Sequence, residues 1–225
     1  MSDTSSRSMS SDPLSIVTIE DTGLKRRAQR VTFSDGRHYT TSKAVIKELG
    51  FEEGTVLTGE PTDASKEDDP VGVLIDRIRD EAPQQAKKRA MYLVAHRDYT
   101  ISEVEQRLRW DGYSSGVVAD VIAHLKEIDL LNDERFIRSF CESRLNAGYG
   151  PYVIIRKLVF KGIEDDQAKE ALETFIDEEQ FDMVQRATLL ITKYDLSDRK
   201  QYQRALRKLV SRGYSYECAR TVCSP

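Results

Sequence analysis

LNDERFIRSFCESRLNAGYGPYVIIRKLVFKGI, residues 131–163, is the stretch of sequence that decides the fold. It opens with Asn132, Asp133 and Glu134, whose polar and negatively charged side chains stabilise the free N–H groups at the start of a helix. Apolar residues follow at spacings of three and four, so they share one helical face: Phe136, Ile137, Phe140 and Cys141. This half of the stretch predicts an amphipathic helix.

Glycine and proline divide the stretch into two helices. Gly148, Gly150 and Pro151 end the first helix, and Pro151 suits the first turn of the second because the N–H that it lacks would have no partner there. A second apolar stripe follows and ends at Gly162; it consists of Ile154, Ile155, Leu158 and Val159. The predicted unit is a helix, a break, a second helix and a glycine stop.

The pattern Leu-x-x-x-Gly followed by a large apolar residue occurs three times at nearly constant spacing. Its glycines are Gly112, Gly162 and Gly213, which are 50 and 51 residues apart. Small or apolar residues follow at offsets of six, nine and ten: Val118, Val121, Ile122, Ala168, Ala171, Leu172, Ala219, Val222 and Cys223. These offsets predict a third helix after each glycine. The sequence therefore predicts a mainly α protein of three tandem three-helix repeats that form a curved solenoid.

Composition divides the 225 residues into six segments. In order they are a Ser-rich disordered tail (1–13), a small β-rich module (14–59), an acidic linker with a short helix (60–85) and helical repeats at 86–131, 132–180 and 181–225. Strands are predicted where β-branched and aromatic residues cluster. The module is expected to contain a strand from Ile16, a strand around Val31, the turn Asp35-Gly36, a strand from His38, a helix between Ser42 and Gly50, and a last strand at Val56 and Leu57.

Two further predictions concern helix ends. Proline inside a helix removes a backbone donor, so Pro83 is predicted to end the short helix of the linker. Ser102 and Glu105 match the capping box, in which each side chain satisfies a free N–H of the first turn. They are predicted to begin the second helix of the first repeat.

Composition and motifs argue against several functional classes. No apolar run approaches the roughly 20 residues that span a bilayer, and the start of the chain lacks the features of a secretory signal. Three cysteines without a CxxC pattern fit reduced thiols, so a cytoplasmic protein is expected. None of the three histidines has another at metal-ligand spacing, and P-loop, GxGxxG and HExxH motifs do not occur. We therefore expect no catalytic residue, cofactor or metal, and a protein that is not an enzyme.

Positive charge is concentrated near the end of an acidic chain. The formal net charge is −4, yet Lys200, Arg204, Lys208 and Arg212 are spaced four apart and share one helical face. Such a stripe can follow a phosphate backbone or dock on an acidic protein. It is equally typical of the solvated side of an amphipathic helix, and the sequence leaves both interpretations open.

The motif in residues 131–163 resembles the signature of the RecX regulatory proteins of bacterial recombination. The matching residues are Asp133, Glu134, Arg135, Phe136, Ser143, Arg144, Gly148, Leu158, Lys161, Gly162 and Ile163. The similarity extends over about residues 86–225, and the β-rich stretch is similar to the extension of longer members. Asn132 stands where the family often has Asp; because Asn caps helices about as well, the departure does not weaken the resemblance.

The resemblance implies a regulator that binds RecA and RecA filaments on single-stranded DNA and inhibits ATP hydrolysis and strand exchange. It also implies a monomer that requires no membrane, with direct DNA binding in some members. The predicted contact residues are Arg135, Arg138, Arg144, Arg156, Lys157, Lys161, Arg204, Lys208 and Arg212. For Asp133, Arg135 and Arg144, an internal framework of caps and ion pairs is an equally open interpretation.

Two other functions stay open on the residues alone. The helix pairs could serve as helix-turn-helix units of a DNA-binding protein or transcription regulator that acts without RecA. The pair occurs three times, whereas a transcription regulator usually has one DNA-recognition unit, and this argues against the function. A helical scaffold for an unrelated protein is the third possibility, and only the family resemblance disfavours it.

Overall fold

The structure, a computed structural model, describes residues 13–22, 27–57 and 69–224. Within these ranges the secondary structure elements are β1 (Ile16–Thr22), β2 (Ala28–Phe33), β3 (His38–Ser42), α1 (Lys43–Leu49), α2 (Pro70–His96), α3 (Ile101–Trp110), α4 (Ser115–Glu127), α5 (Asp133–Asn146), α6 (Pro151–Phe160), α7 (Asp165–Glu178), α8 (Met183–Ile191), α9 (Arg199–Arg212) and α10 (Tyr216–Cys223). The predicted mainly α fold with a small β-rich module is confirmed. The predicted tail, apart from Pro13, and residues 60–68 of the predicted linker lie outside the described residues.

The chain divides into two compact units. The described residues of one unit fall within Met1–Leu93 and Glu105–His124, and those of the other within Val94–Val104 and Leu125–Pro225. The boundaries at residues 86, 132 and 181 are not tested by this division and stay predictions.

An antiparallel sheet of order β1-β2-β3 organises the first unit. Val31 at its centre pairs with Ile19 on one side and Tyr39 on the other, and its side chain is fully buried. As predicted, Ser42 caps α1 by accepting the N–H of Ala44 at 3.2 Å, and Gly50 ends the helix. The predicted last strand is wrong: Val56 forms only an isolated bridge with Ser15.

The prediction that Pro83 ends a helix is also wrong. Helix α2 runs without interruption through Pro83. On both sides of the proline, apolar residues spaced four apart are buried: Ile78, Ala82, Ala86 and Ala90. Packing of this continuous stripe offsets the backbone hydrogen bond that proline cannot make, whereas the Pro83 ring itself is exposed.

Burial confirms the register of the three repeats. Leu108, Leu158 and Leu209, four residues before each glycine, are fully buried. Offsets six and ten are buried as well: Val118, Ala168, Ala219, Ile122, Leu172 and Cys223. At offset nine, Val121 is buried but Ala171 and Val222 are only half-buried. The offsets thus identify the buried face of α4, α7 and α10.

Candidate interaction surface

The family-like motif lies against the first turn of α3 within the second unit. Asp133 accepts the backbone N–H of Ile101 at 2.9 Å, so a side chain on α5 satisfies a free donor at the start of α3. The Thr100 hydroxyl donates to the carbonyl of Lys161 at 2.6 Å, and the Lys161 ammonium donates to Glu103 at 2.9 Å. These three hydrogen bonds join the second repeat to the start of α3, and we call this contact the α3 seam.

The cap of α3 differs from the predicted one. The Glu103 N–H donates to the Thr100 hydroxyl at 3.1 Å, and the Thr100 N–H donates to the Glu103 carboxylate at 3.3 Å. This pair is a capping box two residues earlier than Ser102 and Glu105, so that prediction is wrong. The sequence TISEVE contains the S/T-x-x-E pattern twice, and Lys161 and Asp133 select the first copy through their contacts.

Two carboxyl groups at this seam have pKa values shifted in opposite directions. Burial raises the pKa of Asp133 above its ordinary value, and the N–H of Ile101 offsets only part of the effect. Burial also acts to raise the pKa of Glu103, but hydrogen bonds from Arg97, Lys161 and the Thr100 N–H outweigh it and lower the pKa. Glu103 is therefore held as a carboxylate between two cations.

Gly162 allows the close approach at this seam. Its φ is +87°, and a Cβ added there would lie 2.1 Å from the Ser102 Oγ and 2.3 Å from the Ser102 Cβ. Neither the backbone conformation nor the space tolerates a side chain. Gly162 therefore serves both as the end of α6 and as the contact with α3.

A second seam joins the turn before α6 to the turn before α10. Gly150 donates its N–H to the Arg212 carbonyl at 2.8 Å, and the Tyr152 N–H donates to the Gly213 carbonyl at 3.1 Å. Two arginines donate to carbonyls at the C-terminal end of α5: Arg186 to Leu145 and Arg212 to Ala147, each at 3.2 Å. Cations at this end also complement the helix dipole. Arg186 was not among the predicted residues, because periodicity carries no signal for a capping contact 41 residues away.

The predicted contact arginines of α5 make internal contacts. Arg135 pairs with Asp129 at 2.7 Å. Arg138 pairs with Glu178 at 2.7 Å and lies 5.2 Å from the centre of the Phe175 ring. Arg144 lies 4.9 Å from the centre of the Phe140 ring. These positions support the interpretation of the motif as an internal framework, and their predicted role in binding stays a prediction.

The remaining predicted cations fall into two groups. Lys157 lies over the Tyr149 ring, Lys161 joins the α3 seam, Lys208 donates to the Leu190 carbonyl at 2.7 Å, and Arg212 joins the second seam. Arg156 and Arg204, by contrast, are exposed and have no ion pair within the described ranges. The basic stripe of α9 is thus used partly for helix capping and is partly open to a partner.

The described residues contain no group of three His, Cys, Asp or Glu side chains that could hold a metal ion. In the same part of the chain, every helix is too short or too polar to cross a bilayer. The cysteines described there are unpaired; Cys141 and Cys223 are buried, and burial raises the pKa of each thiol.

Comparisons with known proteins agree with the motif. Residues 86–125 match the family model described as "RecX, first three-helix domain", and residues 132–172 match "RecX, second three-helix domain". A regulatory protein RecX from Chromohalobacter salexigens is 35% identical over 134 residues, which cover 58% of this chain and 86% of that protein. One from Bacillus subtilis is 32% identical over 155 residues, which cover 68% of this chain but only 58% of that longer relative.

Solved structures give the same result. The crystal structure of RecX from Lactobacillus salivarius superposes with a TM-score of 0.56 at 26% identity and covers 62% of this chain and 93% of its own. A second crystal structure, of a regulatory protein RecX, is 18% identical with a TM-score of 0.55, so it supports the fold alone. With these matches and the motif at its α3 seam, the chain belongs to the RecX family of regulatory proteins.

Proposed function

We propose that this protein regulates the RecA recombinase by binding RecA and its filament on single-stranded DNA. Binding inhibits ATP hydrolysis and strand exchange, and the protein acts as a monomer in the cytoplasm without performing a reaction of its own. The observation that carries the proposal is membership of the RecX family, whose compared members are named regulatory proteins.

The geometry supports binding rather than chemistry. Glycine contacts, caps and ion pairs fix the positions of the first turn of α3 and of α5, α6 and α9 within the second unit. A surface held in this way loses little conformational entropy when a partner binds. Arg156 and Arg204 are the predicted contact residues whose charges have no partner in the described chain, so we propose that they meet acidic groups of the filament.

The test is the single-stranded-DNA-dependent ATPase of RecA, with this protein added well below the RecA concentration. We expect inhibition at that ratio, and weaker inhibition by Arg156→Glu and Arg204→Glu. Arg199→Glu is the matched control, because Arg199 is also exposed on α9 but was not among the predicted contacts. An unchanged ATPase rate at every ratio up to equimolar would refute the proposal.

A further inference from the structure

An apolar groove in the second unit has no occupant among the described residues. It has a volume of about 640 Å³, and its apolar lining includes Tyr152, Ile155, Val159 and Met183. Tyr152 and Val159 are seven residues apart on α6, so they lie on one face. We call this site the α6 groove.

Two apolar side chains that line the α6 groove are exposed. The exposed fraction is 66% for Tyr152 and 40% for Val159. Exposed apolar surface marks interaction sites, and Tyr, Met and Arg are enriched at protein interfaces. The α6 groove therefore has the composition of a binding surface.

The charges around the groove indicate the chemistry of its occupant. Arg156 lines the groove and has no ion pair in the described chain, whereas Lys169 is neutralised by Asp165 and Asp166. Glu173 also lines the groove, and its carboxylate has no ion pair in the described chain. Together with Arg156 it leaves the groove without the excess of positive charge that attracts the phosphates of a nucleic acid, so a protein segment fits better than a polyanion.

We propose that the α6 groove binds a protein segment that inserts apolar side chains and places a carboxylate against Arg156. The inference rests on the proposed function, because it assigns that segment to RecA. Apolar anchors in a groove supply most of the affinity of such contacts, and a charge at the rim adds specificity. The groove would then hold the regulator on the filament.

The experiment measures binding of the labelled full-length protein to RecA filaments on single-stranded DNA, and to the same DNA without RecA. The variants are Tyr152→Ala, Arg156→Glu and Val159→Asp. The matched controls are Leu189→Asp, exposed on α8, and Arg199→Glu on α9; neither position lines the groove. Circular dichroism at rising temperature checks that each variant is folded. Tyr152→Ala keeps the test decisive if Val159→Asp fails to fold, because most of the Tyr152 side chain is exposed.

We expect each folded groove variant to bind the filament about tenfold or more weakly, as hot-spot residues do, and the controls to bind as the wild type does. If the wild type binds RecA and every groove variant binds equally well, the groove assignment is wrong and the proposed function stands. If the wild type does not bind RecA, both are wrong. If the variants lose only binding to free DNA, the groove is a nucleic-acid site and the inference is overturned.

Discussion

Replacing Gly162 by alanine tests how closely the α3 seam is packed. In Gly162→Ala the left-handed backbone would cost about 1–2 kcal/mol, and the contact with Ser102 would add about 1–3 kcal/mol of overpacking. Gly36→Ala is the matched control, because Gly36 has the same φ of +87° with nothing within 4 Å. We expect urea denaturation followed by circular dichroism to show a clearly larger loss of unfolding free energy for Gly162→Ala. Equal losses would mean that Ser102 moves aside without cost.

The lowered pKa of Glu103 predicts that the free energy of unfolding depends on pH. Its pKa in the folded protein lies below the ordinary value of 4.5, so ionised Glu103 stabilises the fold above that pH. This stabilisation is lost as the pH falls through the lowered pKa. Glu103→Gln should therefore cost about 1.5–3 kcal/mol at pH 7, the range for hydrogen bonds to charged groups, and less near pH 3, where a smaller fraction of Glu103 is ionised.

The control for Glu103→Gln is Glu105→Gln. Glu105 makes an exposed pair with Arg109 at 3.4 Å, so its replacement should change stability by less than about 1 kcal/mol at either pH. Glu103→Gln also removes one cause of the raised pKa of Asp133, the repulsion from the Glu103 carboxylate, whereas Glu105→Gln leaves that cause in place. A pH-independent difference between the wild type and Glu103→Gln would show that the charge on Glu103 is not what stabilises the seam.

Single residues also show where sequence reasoning ends. Asn132 was predicted as a helix cap, and it accepts the Arg135 N–H at 3.0 Å. The cap that Asp133 provides for Ile101, 32 residues away, could not be predicted. Periodicity assigns a residue to a face of its own helix, whereas a polar partner in another repeat depends on how the helices pack. The same limit explains why the wrong one of two overlapping capping boxes was chosen.

The proline inside helix α2 leads to a prediction about stability. Replacing this exposed residue by alanine would restore the N–H that can bond the Arg79 carbonyl and would remove the clash of the ring with that turn. We expect Pro83→Ala to stabilise the protein by about 1–3 kcal/mol, up to the full helix penalty of proline. Denaturation in urea measures the change, with Gln84→Ala as the control for a neighbouring exposed position. A loss of stability would show that the packing of α2 requires the distortion caused by the proline.

The three repeat glycines share one structural role. A Cβ on Gly162 would meet Ser102 in the first turn of α3, and a Cβ on Gly213 would meet Val153 in the first turn of α6. A Cβ on Gly112 would meet Thr41, which directly precedes the cap of α1. Each glycine thus abuts the start of an earlier helix. In the first unit the β-rich module supplies that helix start, so its α1 does for the first repeat what α3 and α6 do for the others.

The elements were largely predictable because their signals are local. Apolar spacing, Ser42, Gly50 and the repeat glycines placed the helices. Pro83 was mispredicted because burial of the apolar stripe of α2 outweighed the effect of the proline, and Val56 because its pairing with Ser15 extends over a single bridge. The same holds for the predicted contact cations. Periodicity predicts the helix face on which each cation lies, whereas the hydrogen bonds of Lys208 and Arg212 depend on carbonyl groups outside their own helix.

The charge of the whole chain bears on the choice between a protein partner and DNA. The net charge is −4, and Arg135, Arg138 and Lys161 already pair with carboxylates. These three pairs reduce the number of predicted contact cations that can replace counterions on a phosphate backbone. This distribution favours docking on a protein surface and predicts a shallow dependence on salt.

We expect the affinity for RecA filaments to fall less than about tenfold between 50 and 200 mM salt, because a protein making six to ten phosphate contacts would lose about 10³–10⁵ over that range. The measurement is the concentration of this protein that halves the RecA ATPase rate at each salt concentration. The rate without this protein is the control, since it corrects for the effect of salt on RecA itself. A steep loss of this affinity, equal to the loss of affinity for free single-stranded DNA, would instead support a helical DNA-binding protein that acts without RecA. Contacts with phosphate alone would then account for the inhibition.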